Sequence, residues 1–342
     1  SILRFMDPIT QGALGAALAL SAAKGESKQT LKWVALCGLV GGLAPDLDVL
    51  ITSKSDTLLG LKYHRHFTHS LFFTPFGAFL LSLGLVPLLK RFLTARKVFL
   101  FTFLGIITHA PLDTCTSYGT LLLWPLKSVR YALNIVSIVD PIYTTTLIGG
   151  VLGTLVLAKL KVVRAAFILS TIYILGFGSF QNYRAREFQN YVLLKRGHMP
   201  SKKRLTNVLA TLRSFRSVYI QDDQIYVDQI QVPLFGLPSV ISGGSTQLYD
   251  QGQFSKFGEG LLYKDLKFYS EFSDGYLSFI RNRDGRVYLG DLRYGVASSS
   301  VNPIWGVSFV PDQHSVHARK ESFVSKNNNL IREFLDLLFG RE

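Results

Sequence analysis

Charged residues and cysteines are both scarce in this chain. Asp, Glu, Lys and Arg make up only 18% of its 342 residues, and the mean hydropathy is +0.25. Such a composition is too apolar for an ordinary water-soluble protein of this size. The two cysteines, Cys37 and Cys115, match neither a disulfide framework nor a CxxC metal motif. We therefore expect both to be packing residues, and part of the chain to be surrounded by lipid.

Long uncharged segments are concentrated in the first half of the chain. Residues 71–89 carry no charge over a length close to the roughly 20 helical residues that cross a bilayer. The candidate helices cover residues 8–22, 32–50, 69–89, 97–113, 142–159 and 164–183. The first is rich in Gly and Ala, which suits close helix packing more than contact with lipid. The predicted fold is an α-helical integral membrane domain over 1–190, with about five to six helices, followed by a small β-rich soluble domain over 200–342.

The formal net charge of +14 makes nucleic acid the first partner to consider. We reject it because the basic residues lie in short loops between apolar segments, as they do in membrane proteins. These residues are Lys24, Lys28, Lys32, Lys90, Arg91, Arg96, Lys97, Lys159, Lys161 and Arg164. We expect six membrane crossings, with the basic loops in the cytoplasm. The helix ends that carry Asp and His, and the C-terminal domain, would then face outward from a bacterial inner membrane. The charge-rich residues 184–204 oppose this orientation, although long domains cross largely regardless of charge. No cleavable signal peptide precedes the first apolar segment, so that segment is expected to stay in the mature protein.

The hydrophobic pattern changes from helical to alternating at about residue 200. Residues 225–232 alternate around a predicted bulge, and the dipeptides at 274–275 and 284–285 are Asp-Gly hairpin turns between strand-like runs. The run FYSEF, at 268–272, is one of those predicted strands. Residues 328–340 are predicted to form a short amphipathic helix.

Carboxylates and imidazoles are clustered at the ends of the predicted membrane helices. They form three elements: Asp46 with Asp48, the histidines at 64, 66 and 69, and the i,i+4 pair of His109 and Asp113. Each element alone also fits a turn, a hydrogen-bonded core histidine or a satisfied pair. Together they lie on one predicted side of the membrane, where ionisable residues favour a functional site. Carboxylates combined with imidazoles favour zinc, manganese or iron over magnesium or calcium.

Ordered motifs between residues 6 and 145 make a family resemblance specific. They are MDPIT at 6–10, PDLD at 45–48, HR and THS at 64–70, HAPLD at 109–113 with SYGT at 117–120, and VDP at 139–141. The chain resembles the YdjM-like family, regarded as membrane-bound metal-dependent hydrolases. More distantly, it is similar to the zinc-dependent phospholipase C and single-strand nuclease group.

The resemblance implies metal-ligand roles for seven residues: Asp7, Asp46, Asp48, His64, His69, His109 and Asp113. His66 ranks lower, because its position varies in the family pattern. Gln11 stands where many members have a histidine, and an amide is a poor zinc ligand. One metal position is therefore expected to be lost or altered.

The expected mechanism uses a divalent ion, most readily zinc, to convert water into a hydroxide nucleophile. A second ion about 3.5–4 Å away would stabilise the leaving oxygen. Arg65 is a candidate phosphate clamp, with an interfacial arginine as the alternative. Asp140 is a candidate ligand, a partner that orients a histidine, or a helix N-cap, and the last two are favoured. Residues 116, 118 and 134 are expected to line the site entrance, whereas His198, His314 and His317 are left outside it.

The sequence thus predicts a membrane-bound hydrolase that cleaves a phosphoester of a lipid or lipid-linked substrate. Ester or amide hydrolysis is a second hypothesis. A third is a metal-binding transporter or regulatory protein without catalysis. Transport would favour an internal repeat, and the sequence has none that we recognise. A purely structural zinc needs a closed set of four ligands, which is fewer than the seven candidates.

Overall fold

The computed structural model describes residues 8–208 and 210–323, which divide into two compact units. The first unit runs to Leu50 and resumes over Tyr63–Phe180. The second contains the short segment Ile51–Lys62 and the described residues from Gln181 onward. Asp7 and the helix predicted at 328–340 lie outside the described residues.

The first unit is helical. Its helices are α1 (Pro8–Ser21), α2 (Lys28–Leu43), α4 (Thr74–Leu89), α5 (Ala95–Cys115), α6 (Pro141–Leu157) and α7 (Leu160–Ile172). Short helix α3 (Leu59–Tyr63) precedes α4, and α7 continues through a π-helical segment, Tyr173–Gly178, into α8 (Ser179–Arg196). Nearly all of α3 and most of α8 belong to the second unit. A helical domain followed by a β-rich domain is the predicted architecture, and it is confirmed.

The number of candidate membrane spans differs from the prediction. Among the described residues, Lys28–Leu50, Ala95–Cys115 and Leu160–Arg196 are long and apolar enough to cross a bilayer. A fourth span results if Leu59–His69 and Thr74–Leu89, which meet at a 90° bend, count as one. The prediction of five to six counted α1, which has 14 residues and is mostly buried by other helices. It also counted α6, which has only 17 residues.

Glycines let three helices of the first unit approach closely. A side chain at Gly15 of α1 or at Gly105 of α5 would clash with the backbone of Gly38 in α2. A side chain at Gly42 would likewise meet the backbone of Gln11. Helix α2 is therefore held between α1 and α5 by backbone contact, as small residues permit in membrane helices. This packing brings the C-terminal end of α2 beside the last turns of α5.

The second unit contains two antiparallel four-stranded sheets. The first has the order β1 (Lys202–Asn207), β2 (Ser214–Gln221), β3 (Gln224–Gln231) and β4 (Ser239–Gln247). The second has the order β5 (Leu277–Arg283), β6 (Arg286–Asp291), β7 (Trp305–Phe309) and β8 (Arg319–Ser322). Helix α9 (Leu261–Phe272) lies between them in sequence. The apolar side chains of β2 and β3 form the core with Tyr276 and Leu292.

The detailed strand predictions were partly wrong. The bulge in residues 225–232 is confirmed by the register shift between Val227 and Asp228, and Asp284 and Gly285 both have positive φ at the β5–β6 turn. The run at 268–272, predicted as a strand, belongs to α9. Its apolar residues continue a helical period from Leu262 and Leu266, both of which are buried with Tyr269. Five residues were too few to show that period.

Candidate metal centre

The PDLD motif forms a 3₁₀ segment at the end of α2. Helix α2 ends at Leu43 and continues as the 3₁₀ segment Ala44–Leu50. Pro45 has no N–H to donate to the preceding turn, which favours a change of helix type there. Asp46 and Asp48 therefore project from tighter backbone at the end of the helix, close to the end of α5.

Asp48 is buried and held by the HRHFTH segment. Its Oδ1 lies 2.9 Å from Nδ1 of His64. Its Oδ2 accepts hydrogen bonds from the backbone N–H of Arg65 at 2.9 Å and from the hydroxyl of Thr68 at 3.0 Å. Nδ1 of His69 also lies 3.3 Å from this oxygen. Asp48 thereby fixes the positions of both predicted histidine ligands.

The backbone of Arg65 is in the left-handed region, with φ of +56°. A non-glycine residue there costs of order 1–3 kcal/mol unless its surroundings hold it. Here the N–H is bonded to Asp48, and the guanidinium Nε lies 2.9 Å from Oδ2 of Asp113. This turn lets residues 64 and 69 face the same carboxylates.

The imidazoles of His69 and His109 meet at their Nε2 atoms, 3.0 Å apart. Nδ1 of His109 lies 2.6 Å from the carbonyl oxygen of Gly42, which can only accept a hydrogen bond. That nitrogen therefore carries the proton, and Nε2 of the neutral ring has a free lone pair. A carbonyl in this position is the usual device that orients a metal-binding histidine.

Carboxylate oxygens surround the two facing nitrogens. Oδ1 of Asp46 is 3.4 Å from Nε2 of both His69 and His109. Oδ2 of Asp113 is 3.2 Å from Nε2 of His69 and 3.7 Å from that of His109. Four potential ligand atoms from three helical elements therefore converge on one buried position.

The residues form two donor groups that share one carboxylate. Asp46, His69, His109 and Asp113 each offer an atom within 4.8 Å of the others, and so do Asp46, Asp48 and His64. We call these six residues the metal-centre cluster. Oδ2 of Asp46 is buried and has no hydrogen-bond partner among the described residues. A buried carboxylate oxygen without a donor fits a cation ligand.

The charges in the metal-centre cluster also fit a cation. Among the described residues, the carboxylates of Asp46 and Asp48 have no ion pair with a Lys or Arg side chain, and only Asp113 pairs with Arg65. With the imidazoles neutral, as metal ligation requires, three carboxylates and one guanidinium leave an excess of negative charge, which is costly to bury without a counter-ion. Divalent ions would supply the missing positive charge.

Arg65 is a buried partner of Asp113. Besides the Nε contact with that carboxylate, its Nη1 donates to the hydroxyl of Thr116 at 3.0 Å, and its guanidinium lies 4.9 Å from the ring centroid of Tyr118. Of the residues predicted at the entrance, 116 and 118 thus contact Arg65. Asn134 is buried at a positive φ of 57° in the loop before α6.

Gln11 contacts the metal-centre cluster through its amide nitrogen. It is fully buried, and Nε2 donates to Oδ1 of Asp113 at 2.8 Å and to the carbonyl of His109 at 3.4 Å. The residue that departs from the family pattern therefore orients a carboxylate from α5. Its Oε1 has no hydrogen-bond partner in the described residues.

Asp140 is the N-cap of α6. Its Oδ1 accepts the backbone N–H of Tyr143 at 3.0 Å, and Tyr173 donates its hydroxyl to Oδ2 at 3.1 Å. Pro141 occupies the start of the helix, so the N-cap geometry expected from the sequence is confirmed. Burial raises the pKa of this carboxyl above its usual range, against the opposing effect of these hydrogen bonds.

A third acid–imidazole group lies in the second unit. Asp56, Asp265 and His317 offer atoms within 4.8 Å of one another. Nδ1 of His317 is 2.7 Å from Oδ2 of Asp265, and Nζ of Lys62 lies 2.9 Å from Asp265 and 3.1 Å from Asp56. We call these four residues the lysine cluster. Sequence spacing gave no sign that His317 has an acidic partner, because Asp265 comes from α9.

The remaining histidines lie apart from the metal-centre donor groups. The ring of His66 is 5.2 Å from that of Trp124, and neither donor group includes it. His314 lies beside Phe257, and Nδ1 of His198 is 3.0 Å from the hydroxyl of Tyr219.

A known protein family matches the part of the chain that contains the metal-centre cluster. The family model described as YdjM inner membrane protein matches residues 6–185.

The chain belongs to the YdjM inner membrane protein family.

The match contains all six residues of the metal-centre cluster and ends before the first sheet. A curated relative, an uncharacterized protein YfhP of Bacillus subtilis (strain 168), is 26% identical over 129 residues. That stretch covers 38% of this chain and 39% of the relative. No solved structure matches the chain.

Proposed function

We propose that the YdjM-family domain binds two divalent metal ions and hydrolyses a phosphoester of a lipid or lipid-linked substrate. The supporting observation is the sharing of Asp46 between two donor groups, one with His69, His109 and Asp113 and one with Asp48 and His64. A carboxylate between two ligand sets is suited to a two-metal centre, in which the ions lie about 3.5–4 Å apart. Zinc is the ion that this mixture of imidazole and carboxylate suits best.

Bound metal would supply Lewis-acid chemistry, polarising a phosphoryl oxygen and lowering the pKa of water. The protein's own groups prepare the site for that chemistry. The carbonyl of Gly42 keeps Nε2 of His109 free to coordinate, and Thr68 and the N–H of Arg65 orient Asp48. Burial of these groups excludes bulk water, which strengthens electrostatic interactions at the site.

Arg65 acts as a positioning residue in this proposal. Its guanidinium is ion-paired with Asp113 and donates a hydrogen bond to Thr116, so its first role is to hold the carboxylate on α5. A phosphate group that entered the cluster would meet a guanidinium already fixed in orientation. Asp140 is assigned a cap role, since Tyr143 and Tyr173 account for its oxygens.

An amphipathic substrate is favoured by the location of the cluster. The C-terminal ends of the candidate spans Lys28–Leu50 and Ala95–Cys115 both carry ligands, so the site lies at the end of membrane helices. A lipid head group or a lipid-linked phosphate reaches that level while its tails stay in hydrocarbon. A fully soluble substrate would gain nothing from this position.

The test uses the full chain reconstituted in vesicles. The parent, depleted of metal by a chelator, is assayed for phosphate or phosphoalcohol release from a panel of phospholipids and lipid-linked phosphates before and after zinc addition. We expect zinc-dependent release that His109→Ala abolishes and His66→Ala retains. His66 is the matched control because it lies in the same segment outside both donor groups. Metal binding without release from any phospholipid or lipid-linked phosphate would contradict the hydrolase proposal, and ion flux through the vesicles would support transport.

A further inference from the structure

The β3–β4 loop of the second unit exposes apolar side chains. Residues 232–238, with the sequence VPLFGLP, contain no charged or hydrogen-bonding side chain. Phe235 is 92% exposed, Leu237 is 89% exposed and Leu234 is 51% exposed. Single exposed apolar residues are common on soluble proteins, but a concentrated apolar tip marks a surface that binds something apolar.

Hydrogen bonds fix the backbone of this loop. Its first residue, Val232, is fully buried, and the carbonyl of Val232 accepts a hydrogen bond from Gln181 at 3.0 Å. The guanidinium of Arg184 donates to the carbonyls of Pro233 at 2.7 Å and Gly236 at 2.8 Å. The backbone is thus tied down on both sides of Phe235, and the apolar side chains are presented outward by an ordered turn.

The loop is hydrogen-bonded to α8, the helix that continues from the apolar part of a candidate membrane span. The continuous helical run Leu160–Arg196 is a candidate membrane span. Residues 165–180 of this run carry no charge, whereas residues 181–196 include Arg184 and other charged groups. The loop is bonded to Gln181 and Arg184, the first polar turn after that stretch. It therefore lies at the level where the helix passes from hydrocarbon to the polar interface.

A tyrosine of α8 beside the loop also suits a membrane surface. Tyr183 is exposed in the same turn of the helix, and tyrosine is favoured at bilayer interfaces. The apolar tip and the tyrosine therefore both fit a lipid interface.

We propose that loop 232–238 inserts Phe235 and Leu237 into the interfacial region of the bilayer, so that the second unit has its own lipid contact. The partner is the lipid surface itself. Insertion of a few apolar side chains reaches about 5–10 Å into the boundary between head groups and acyl chains. This proposal does not depend on hydrolysis or on bound metal.

The test places an environment-sensitive fluorophore on Phe235→Cys in the full-length chain, reconstituted in phosphatidylethanolamine–phosphatidylglycerol vesicles. Cys37 and Cys115 are buried, and the labelled parent measures any background from them. Asp284→Cys is the matched control, because its polar side chain lies at the exposed β5–β6 turn. Thermal melting and bound metal of both variants check that the fold is unchanged.

We expect a blue-shifted emission for the label at position 235 and quenching by lipids that carry a nitroxide near the top of the acyl chain. Quenching by a nitroxide deep in the bilayer should be weaker, and iodide should quench only the label at position 284. Equal iodide quenching at both positions would overturn the proposal. So would a blue shift at position 235 without quenching by nitroxide lipids, because a protein surface would then cover the loop.

Discussion

Two clusters of carboxylates and imidazoles in this protein differ in how their negative charge is balanced. In the lysine cluster, the ammonium of Lys62 lies within 3.1 Å of both Asp56 and Asp265. In the metal-centre cluster, the carboxylates of Asp46 and Asp48 have imidazole neighbours but no Lys or Arg side-chain partner among the described residues. In one unit, therefore, a lysine pairs with both carboxylates, and in the other two of the three carboxylates have only imidazole and hydrogen-bond partners among the described residues.

This difference explains why residue type alone is a poor guide to metal binding. Nδ1 of His317 lies 2.7 Å from Oδ2 of Asp265, a shorter distance than that of any His–Asp pair in the metal-centre cluster. A metal ion there would have to displace the lysine, which costs the free energy of two ion pairs.

The largest expected effect follows from loss of the shared carboxylate. Asp46→Ala removes a ligand from both donor groups, so bound zinc should fall by at least about 100-fold in affinity, and any hydrolysis should fall with it. Elemental analysis and zinc titration of the purified chain measure the loss. His66→Ala should retain the metal affinity of the parent. If Asp46→Ala bound zinc with the affinity of the parent, the proposed two-metal centre would be wrong.

Arg65→Lys should have an intermediate effect. Lysine keeps the positive charge but not the planar guanidinium that contacts both Asp113 and Thr116. We expect zinc affinity to fall by about 10–100-fold, as for other residues that orient metal ligands. A phosphate-clamp role would instead leave zinc affinity intact and raise the KM for the substrate. Zinc titration and steady-state kinetics on the same preparation separate these two outcomes.

The lysine cluster should affect stability and leave metal binding unchanged. Asp265→Asn removes a buried charge that accepts from Lys62, His317 and the N–H of Ala318. The free energy of unfolding should drop by about 2 kcal/mol, the scale of hydrogen bonds to a charged group. Thermal melting of the detergent-solubilised chain detects this change. A fall in bound metal in Asp265→Asn would show that the second cluster also holds an ion.

The smallest effect is expected at Asp140. Asp140→Ala should cost about 1 kcal/mol because the N-cap of α6 is lost, whereas Asp140→Asn keeps a capping oxygen and should cost much less. Melting curves of the two variants measure the difference. Both variants should keep their zinc and their activity. If Asp140→Asn abolished activity in a folded chain, the carboxyl would be catalytic.

The sequence predicted the architecture, and the structure brings together six of the seven candidate ligands, for identifiable reasons. Uncharged runs marked the helical domain, and the i,i+4 spacing of His109 and Asp113 placed both on one face of α5. The PDLD and THS motifs indicated that the other candidate ligands lie at helix ends. What the sequence did not show depends on packing between distant segments. The carbonyl of Gly42 that orients His109 and the amide of Gln11 on Asp113 are contacts between different helices.

The count of membrane spans and the lysine cluster were missed for the same physical reason. Helix α1 is apolar because it is buried by neighbouring helices through contacts such as Gly15 on Gly38, and composition does not distinguish burial in protein from exposure to lipid. Lys62 and Asp265 are 203 residues apart. Their pairing depends on the fold of the second unit, for which the sequence offered only strand alternation. The predicted outward orientation and inner-membrane location stay predictions.

We infer that charge balance distinguishes the two clusters, one as a metal centre and the other as a structural ion-pair network. The most direct test is the metal stoichiometry of the full chain, extracted from membranes, incubated with zinc and separated from free metal before elemental analysis. We expect about two ions per chain, as a two-metal centre requires, and the same number in Asp265→Asn. A parent chain that binds no metal, or one that loses its metal in Asp265→Asn, would contradict it.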